Sequence, residues 1–284
     1  MDIDNRCTIL VNSCDINSDL WDPLFRMLYI QSGGIKKYPI VLNTETVKYH
    51  SEYYDIRVIN QTKEGIEWGR RLKDCLKRIK TKYVFTLLDD IYPLKPIDTA
   101  VFEECMDWMD KDPGVAVFYL GTTDDFINDH QYPGFSLCPQ VRPYKLTTRP
   151  AIWNTECLMR YARNHESIWE FETLGSVRAG RYKEKFYGAN GERPLAFEYS
   201  SLEYGIRRGR WLPKTKGLFE EHGIEVDYSK RGFINPDDPY RYTETYSIKE
   251  HFPKDVIKPV FWNEIGNKIV QKSRNGCHVI KSLI

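Results

Sequence analysis

The sequence predicts an α/β fold: a three-layer sandwich around a mostly parallel central sheet. Three observations predict it. Short apolar, β-favouring runs alternate with amphipathic helical stretches in the order β-α-β-β-α-β-α-β. The run Tyr83-Val84-Phe85-Thr86-Leu87-Leu88 is apolar throughout, as a strand buried on both faces must be. Two acids, Asp89 and Asp90, follow it at once, before Pro93 and Pro96 break regular structure. In an open parallel sheet that places paired carboxylates at the carboxyl edge, where ligands bind. Adjacent hard oxygen ligands there suit a divalent cation carrying phosphates.

The elements follow in order. Cys7 to Val11 is a first buried strand, closed by Asn12, Ser13, Cys14 and Asp15. Asn17, Ser18 or Asp19 caps a helix beginning near Leu20, with Leu24, Phe25, Leu28 and Tyr29 on one face. Gly33-Gly34 ends it. Pro39 to Asn43 and Ile56 to Ile59 are strands. Glu64 to Ile79 is a helix packed through Ile66, Trp68, Leu72, Cys75, Leu76 and Ile79. Ile97 to Asp110 is another helix and Val115 to Leu120 another strand. From Gly121 to Pro150 the texture is polar and aperiodic, an excursion over the functional face. Leu146 to Trp153 returns to strand character. Asn154-Thr155-Glu156 caps a helix from Cys157 to Asn164, Ser167 opens a further helix, and Leu195 to Tyr199 is a late strand. Crossovers should be right-handed.

Composition narrows the function. The 284 residues, 41% hydrophobic, allow a sizeable core. A net charge of +1, from 41 basic and 40 acidic residues, gives no bulk attraction to nucleic acid. Seven cysteines without a CxxC pair argue against a disulfide framework or a zinc cluster, and for a reducing compartment. The N-terminus carries acids where a secretory leader needs basic residues, and no run approaches the ~20 apolar residues of a membrane span. A cytoplasmic location is expected. No GxGxxG, GxxxxGK[ST], GxSxG or HExxH appears, and the loop after the first strand, Asn12 to Asp19, has no glycine, so a dinucleotide-binding fold is disfavoured.

The candidate residues each have a plainer explanation. Asp89-Asp90 is a metal-and-phosphate edge or a turn. Asn12, Ser13 and Asp15 contact a nucleotide or cap a helix. Glu170 and Glu172, in the stretch SIWEFETLG, supply a general base or merely favour a helix N-terminus; Trp169 and Phe171 interleave with them. His222 is a metal ligand, a phosphate donor or neither. Arg207, Arg208 and Arg210 neutralise a diphosphate or form a solvated loop. The tail from His251, with Val256, Ile257, Val260, Phe261, Ile265, Ile269 and Val270 among basic residues, lies on an anionic membrane or packs on the domain.

The order of the pieces TILVNSCD, EWGRRLKDCLKRIKTKYVFTLLDD, RPAIWN and SIWEFE resembles a GT-A type glycosyltransferase of the broad family-2-like group, closest to bacterial enzymes that build capsular or lipopolysaccharide chains. The likeness spans about Thr8 to Glu172 and continues weakly through RRGRW and GLFEEHG. It implies a GT-A-like sandwich with a Rossmann-like sheet. It also implies a single catalytic domain over 1–250, with a nucleotide-sugar half about 1–120, an acceptor half about 121–250, and a basic amphipathic tail over 251–284. Nucleotide-sugar contacts would come from Asn12, Ser13, Asp15, Trp68, Asp89 and Asp90, acceptor stacking from Trp153 and Trp169, and diphosphate stabilisation from Arg207 and Arg208. Glu172, with Glu170 second, would be the base of an inverting displacement. Asp90, Asp89 and His222 would hold Mg²⁺ or Mn²⁺. The chain writes Asp89-Asp90-Ile91-Tyr92 where the family writes Asp-x-Asp, so arginine or lysine in place of the metal is the other expectation. The expected partners are a nucleoside-diphosphate sugar and a glycan or lipid-linked glycan, with peripheral membrane contact through the tail. A nucleotidyltransferase acting on sugar phosphates, a non-catalytic nucleotide- or carbohydrate-binding protein and a glycoside hydrolase are the alternatives.

Overall fold

A computed structural model describes residues 4–60, 67–123 and 125–235. Eight strands form one sheet: β1 (Cys7–Asn12), β2 (Ile40–Thr44), β3 (Ile56–Asn60), β4 (Tyr83–Leu88), β5 (Val115–Thr122), β6 (Phe135–Leu137), β7 (Ala151–Asn154) and β8 (Lys185–Ala189). Their spatial order is β3-β2-β1-β4-β7-β5-β8-β6. The strands β1 to β4 are mutually parallel, and β5 is parallel to β8. β7 runs antiparallel between β4 and β5, and β6 is an antiparallel edge on β8. This is the mostly parallel, Rossmann-like sheet of the GT-A-like layout the sequence led us to expect.

Successive side chains of a strand point to opposite faces, and both faces here are covered, which explains why β4 is apolar except at Thr86, whose hydroxyl donates to the Ala151 carbonyl at 3.4 Å. Tyr83, Phe85 and Leu87 join the core under α1 (Trp21–Ile30) and α3 (Thr99–Lys111), with Phe25, Leu28, Phe102 and Met106. Val84 points to the opposite core, under α2 (Trp68–Leu76), α4 (Thr155–Tyr161) and α5 (Ile168–Ala179), with Leu72, Leu76, Leu158 and Phe171. Both faces of the sheet are covered, which makes three layers.

The cap expected at Asn17, Ser18 or Asp19 does not form: these residues lie in a 3-10 turn, Asp15–Leu20, and α1 begins at Trp21 without a side-chain cap. Other caps do form. Asn154 accepts from Cys157 N at 3.1 Å and starts α4. The carboxylate of Asp98 accepts from Ala100 N at 3.0 Å and starts α3. A buried ion pair, Arg178 to Glu166 at 2.7 and 3.0 Å, holds the turn between α4 and α5. The Glu166 carbonyl accepts from Gly69 N at 2.8 Å, which fastens that turn to the first residues of α2. A side chain at Gly69 would stand 2.0 Å from the Arg163 carbonyl oxygen, so only glycine permits the approach.

Several expectations are corrected. Leu195 to Tyr199 is not a strand. It lies beside Leu94 to Asp98, giving its Glu198 and Ala196 carbonyls to Leu94 N and Asp98 N at 2.8 and 2.9 Å. Pro96 in the facing segment has no N–H to extend a ladder. The late strand is Lys185–Ala189. The strand expected from Leu146 is confined to Ala151–Asn154, and the helix expected to reach Asn164 stops at Tyr161. The Glu64 to Ile79 helix is described from Trp68 to Leu76. The tail over 251–284 lies outside the described residues, as do residues 64–66. Among the described residues no helix is long and apolar enough to cross a membrane.

Candidate functional site

Because β1 and β4 are parallel and paired Asn12 to Leu88, their carboxyl ends share one edge. There Asp89 is buried and Asp90 half-buried. The Ser13 hydroxyl donates to Asp89 Oδ2 and accepts from Trp21 Nε1 at 2.6 Å. Asn17 Nδ2 approaches the other Asp89 oxygen at 3.4 Å. Burial, then the Asp90 charge, push the Asp89 carboxyl up to about 7, against the hydrogen bonds from Ser13 and Asn17. Burial pushes Asp90 up to about 6, opposed by the nearby Arg231 guanidinium. The two titrate as a pair. A buried pair of raised carboxyls at the ligand-binding edge of a sheet is a candidate functional site.

Asn12 lies on the α2 face of the sheet, its Oδ1 accepting from Asn43 Nδ2 at 3.1 Å. The loop after β2 is gathered by Asp15. This carboxylate accepts from Thr44 Oγ1 at 2.9 Å, Thr46 N at 2.9 Å and Val47 N at 3.2 Å. Burial acts to raise its pKa, but the hydrogen bonds from Thr46, Val47 and Thr44 hold it down to about 2. Asp15 therefore organises the wall of the site. Arg71, buried on α2, donates to the Ser13 carbonyl at 3.0 Å and stands 3.4 Å from Glu45.

The residue missed by the sequence is Arg231. Its Nε donates to Asp19 Oδ2 at 2.6 Å. Its Nη2 donates to Asp19 Oδ1 at 2.7 Å, to Asn17 Oδ1 at 3.0 Å and to the Ile16 carbonyl at 2.9 Å. Asn17 thus links Arg231 directly to Asp89. No local pattern around Arg231 announces this; only the fold brings the end of the described chain back to the loop after β1.

Arg231 Nη1 also reaches the Gly209 carbonyl at 3.4 Å, the tip of a hairpin between β9 (Ile206–Arg207) and β10 (Arg210–Trp211). Arg208 and Gly209 have φ of 53° and 77°, the two left-handed residues of a tight hairpin turn. Just before β9, Gly205 has φ of 93°, and a side chain there would stand 2.2 Å from the Asp90 carbonyl oxygen. The residue that leads into the hairpin bearing Arg207 and Arg208 is thereby packed against the Asp90 backbone.

On α5 the two glutamates separate. Glu170 closes a capping box, accepting from Ser167 N at 2.9 Å and Ser167 Oγ at 3.0 Å. Its position at the start of α5 is explained by the cap. Glu172 Oε1 accepts from Thr148 N at 2.7 Å, Thr148 Oγ1 at 2.8 Å and Thr147 Oγ1 at 3.3 Å. A cavity of about 20 Å³ is lined by Asn12 and Leu88 on one side and by Thr147, Thr148 and Phe171 on the other. It sets the Glu172 neighbourhood beside the ends of β1 and β4.

The tryptophans divide as well. Trp153 is 1% exposed and packs edge-on with Tyr119 and Phe186. This core position corrects its assignment as an acceptor-stacking residue. Trp169 is 52% exposed at the start of α5. Trp68, half-buried at the start of α2, packs on Phe171 with ring centres 5.1 Å apart.

His222 follows α6 (Pro213–Glu221), with Nδ1 2.9 Å from the Leu218 carbonyl and Nε2 3.2 Å from Gln31 Nε2. Both ring nitrogens are engaged away from the acid pair, which corrects its placement in a metal shell. Among the described residues no three His, Cys, Asp or Glu side chains gather to hold a metal ion. Asp90 receives no side-chain hydrogen bond among the described residues, whereas both Asp89 oxygens have partners. This donor set fits a cation that brings phosphate oxygens as its remaining ligands; it does not fit a resident ion.

No family model matches the chain, and no curated protein matches it. Solved structures resemble it in fold. Residues 1–349 of Staphylococcus aureus TarS share 13% identity over 65% of this chain and 58% of that one, with a TM-score of 0.45. The mannosyltransferase PcManGT from Pyrobaculum calidifontis, in complex with GDP-Man and Mn²⁺, shares 12% over 64% and 53%, with a TM-score of 0.45. The CMP:2-keto-3-deoxy-manno-octonic acid synthetase complexed with CTP shares 14% over 64% and 88%, with a TM-score of 0.40. The chain spans little more than half the length of the TarS and PcManGT chains.

Proposed function

We propose that this chain is a glycosyltransferase. It takes a nucleoside-diphosphate sugar at the carboxyl edge of β1 and β4 and passes the sugar to a hydroxyl of a glycan or glycolipid acceptor. The observation that carries the reading is the Asp89–Asp90 pair at that edge, tied to the β1 loop through Ser13 and Asn17 and faced by Arg231.

In this reading Asn12, Ser13 and Trp68 border the nucleoside, and Asp90 would hold Mg²⁺ or Mn²⁺ brought in with the diphosphate. The cation would neutralise charge on the leaving diphosphate. Glu172, fixed by Thr147 and Thr148, accepts the proton of the acceptor hydroxyl as that oxygen bonds to the anomeric carbon. The bond from the anomeric carbon to the diphosphate oxygen breaks in the same in-line step, and configuration inverts. In this reading Arg231 and the hairpin arginines stabilise the departing charge. Trp169 offers an exposed ring to the acceptor sugar. The proposed setting is the cytoplasm, at the inner membrane face, in surface-polysaccharide assembly. The six described cysteines are all free, in keeping with a reducing compartment.

The test is product analysis with a panel of nucleotide sugars and nucleoside triphosphates. Release of nucleoside diphosphate and free sugar, by slow donor hydrolysis, supports glycosyl transfer. Pyrophosphate release from a triphosphate with a sugar phosphate replaces this reading with nucleotidyl transfer.

A further inference from the structure

The Arg231 guanidinium and the Asp19 carboxylate face each other as two forks, Nε to Oδ2 at 2.6 Å and Nη2 to Oδ1 at 2.7 Å. This bidentate geometry is also the one in which an arginine grips a phosphate. The pair sits one side chain from the acid edge, because Asn17 bridges Arg231 and Asp89. The Arg231 side chain is 8% exposed and that of Asp19 19%, so the fork is sheltered yet reachable from solvent. Asp19 has a second cation, Lys230, whose Nζ donates to it at 2.8 Å and whose side chain is 48% exposed. It can give up Arg231 without being left unpaired.

We propose that Arg231 is an anion subsite and that the Asp19 carboxylate occupies its fork as a stand-in until a substrate diphosphate replaces it. This rests on the nucleotide-sugar reading for the identity of the diphosphate. On replacement, phosphate oxygens take the Nε and Nη2 donors, and Asp19 stays with Lys230. Asn17 and the Ile16 carbonyl keep the guanidinium in place during the exchange. The competition is electrostatic: two anions contend for one cation beside a pair of carboxyls.

The two halves of an ordinary stabilising ion pair respond alike when either is removed. Here they must respond oppositely. The experiment is calorimetric titration of the full chain with inorganic pyrophosphate and, separately, with UDP, GDP and CDP in the presence of Mg²⁺. Asp19→Asn should tighten pyrophosphate binding about three- to tenfold by removing the competitor, and Arg231→Gln should weaken it about tenfold or more. Weakening by both variants, or no change in either, overturns the subsite. Should Asp19→Asn fail to fold, the side-chain Nε–H resonance of Arg231 in the ¹⁵N-labelled wild-type protein decides. It should shift on pyrophosphate addition, and an unmoved resonance rejects the exchange. Failure of the wild type to bind pyrophosphate also overturns the subsite, while metal-dependent binding of one nucleoside diphosphate would leave the glycosyltransferase reading standing. Opposite responses to pyrophosphate with no nucleotide bound would keep the subsite and remove that reading.

Discussion

The Ser13 hydroxyl donates to the Asp89 carboxylate across the ends of two neighbouring parallel strands. The same hydroxyl accepts from Trp21, so one small side chain ties β1, β4 and the first helix together at the site. Ser13→Ala leaves a buried carboxylate oxygen and a buried indole N–H without that partner. The expected cost is about 1–3 kcal/mol of folding stability, measured by urea denaturation. A loss below about 0.5 kcal/mol would mean that the network has no structural weight.

The acid pair gives the ligand-free protein a distinctive pH response. A carboxyl whose folded pKa is raised binds more protons folded than unfolded. Its stabilising effect is complete below the unfolded value, about 4, and is lost as pH rises through the folded values. With Asp89 near 7 and Asp90 near 6, that window runs from about pH 4 to 7. Asp89→Asn should therefore flatten the fall in melting temperature across this window relative to the wild type. Parallel curves for the two proteins would refute a raised carboxyl at this position.

Glu170 and Glu172 should part in function as they do in structure. Glu172→Gln is expected to abolish sugar transfer while nucleotide binding persists, since Glu172 is assigned to proton removal. Glu170→Ala should lower stability by about 0.5–2 kcal/mol through loss of the cap and leave a measurable turnover. Equal loss of turnover in both variants, at equal stability, would contradict the assignment.

Gly205 should resist substitution. Gly205→Ala meets the Asp90 carbonyl oxygen at 2.2 Å and forces a left-handed conformation on a side-chain-bearing residue. The hairpin must move away from the acid pair, so diphosphate affinity should fall more than the affinity for the bare nucleoside. Calorimetry with the two ligands distinguishes this from a uniform loss.

The strands and caps were legible because they are local. The near-continuous apolar run of β4 with Asp89 and Asp90 after it, and the Asn154 and Ser167 caps, are written in consecutive residues. The side-chain duties were not. Asp15 and Asp89 are both acids after strands, yet Asp15 clamps the β2 loop while Asp89 is held by Ser13 and Asn17. Trp153 points into the core from β7, whereas Trp169 stands in solvent at the start of α5. The Arg231 contacts with Asp19 and Asn17 join residues more than 200 positions apart, a separation no spacing rule covers. Leu195 to Tyr199 is apolar enough for a strand, but a neighbour containing proline gives it no ladder.

The central claim is that the Asp89–Asp90 edge binds a nucleoside diphosphate, with Asp90 meeting it through a cation. The most direct measurement is the melting temperature of the wild type and of Asp90→Asn with UDP, GDP, CDP and dTDP, each with and without Mg²⁺ or Mn²⁺. A ligand that binds only the folded state must raise it. The account predicts a metal-dependent rise with one diphosphate in the wild type and its loss in Asp90→Asn. A wild-type protein whose melting temperature no diphosphate changes, with or without metal, would contradict it.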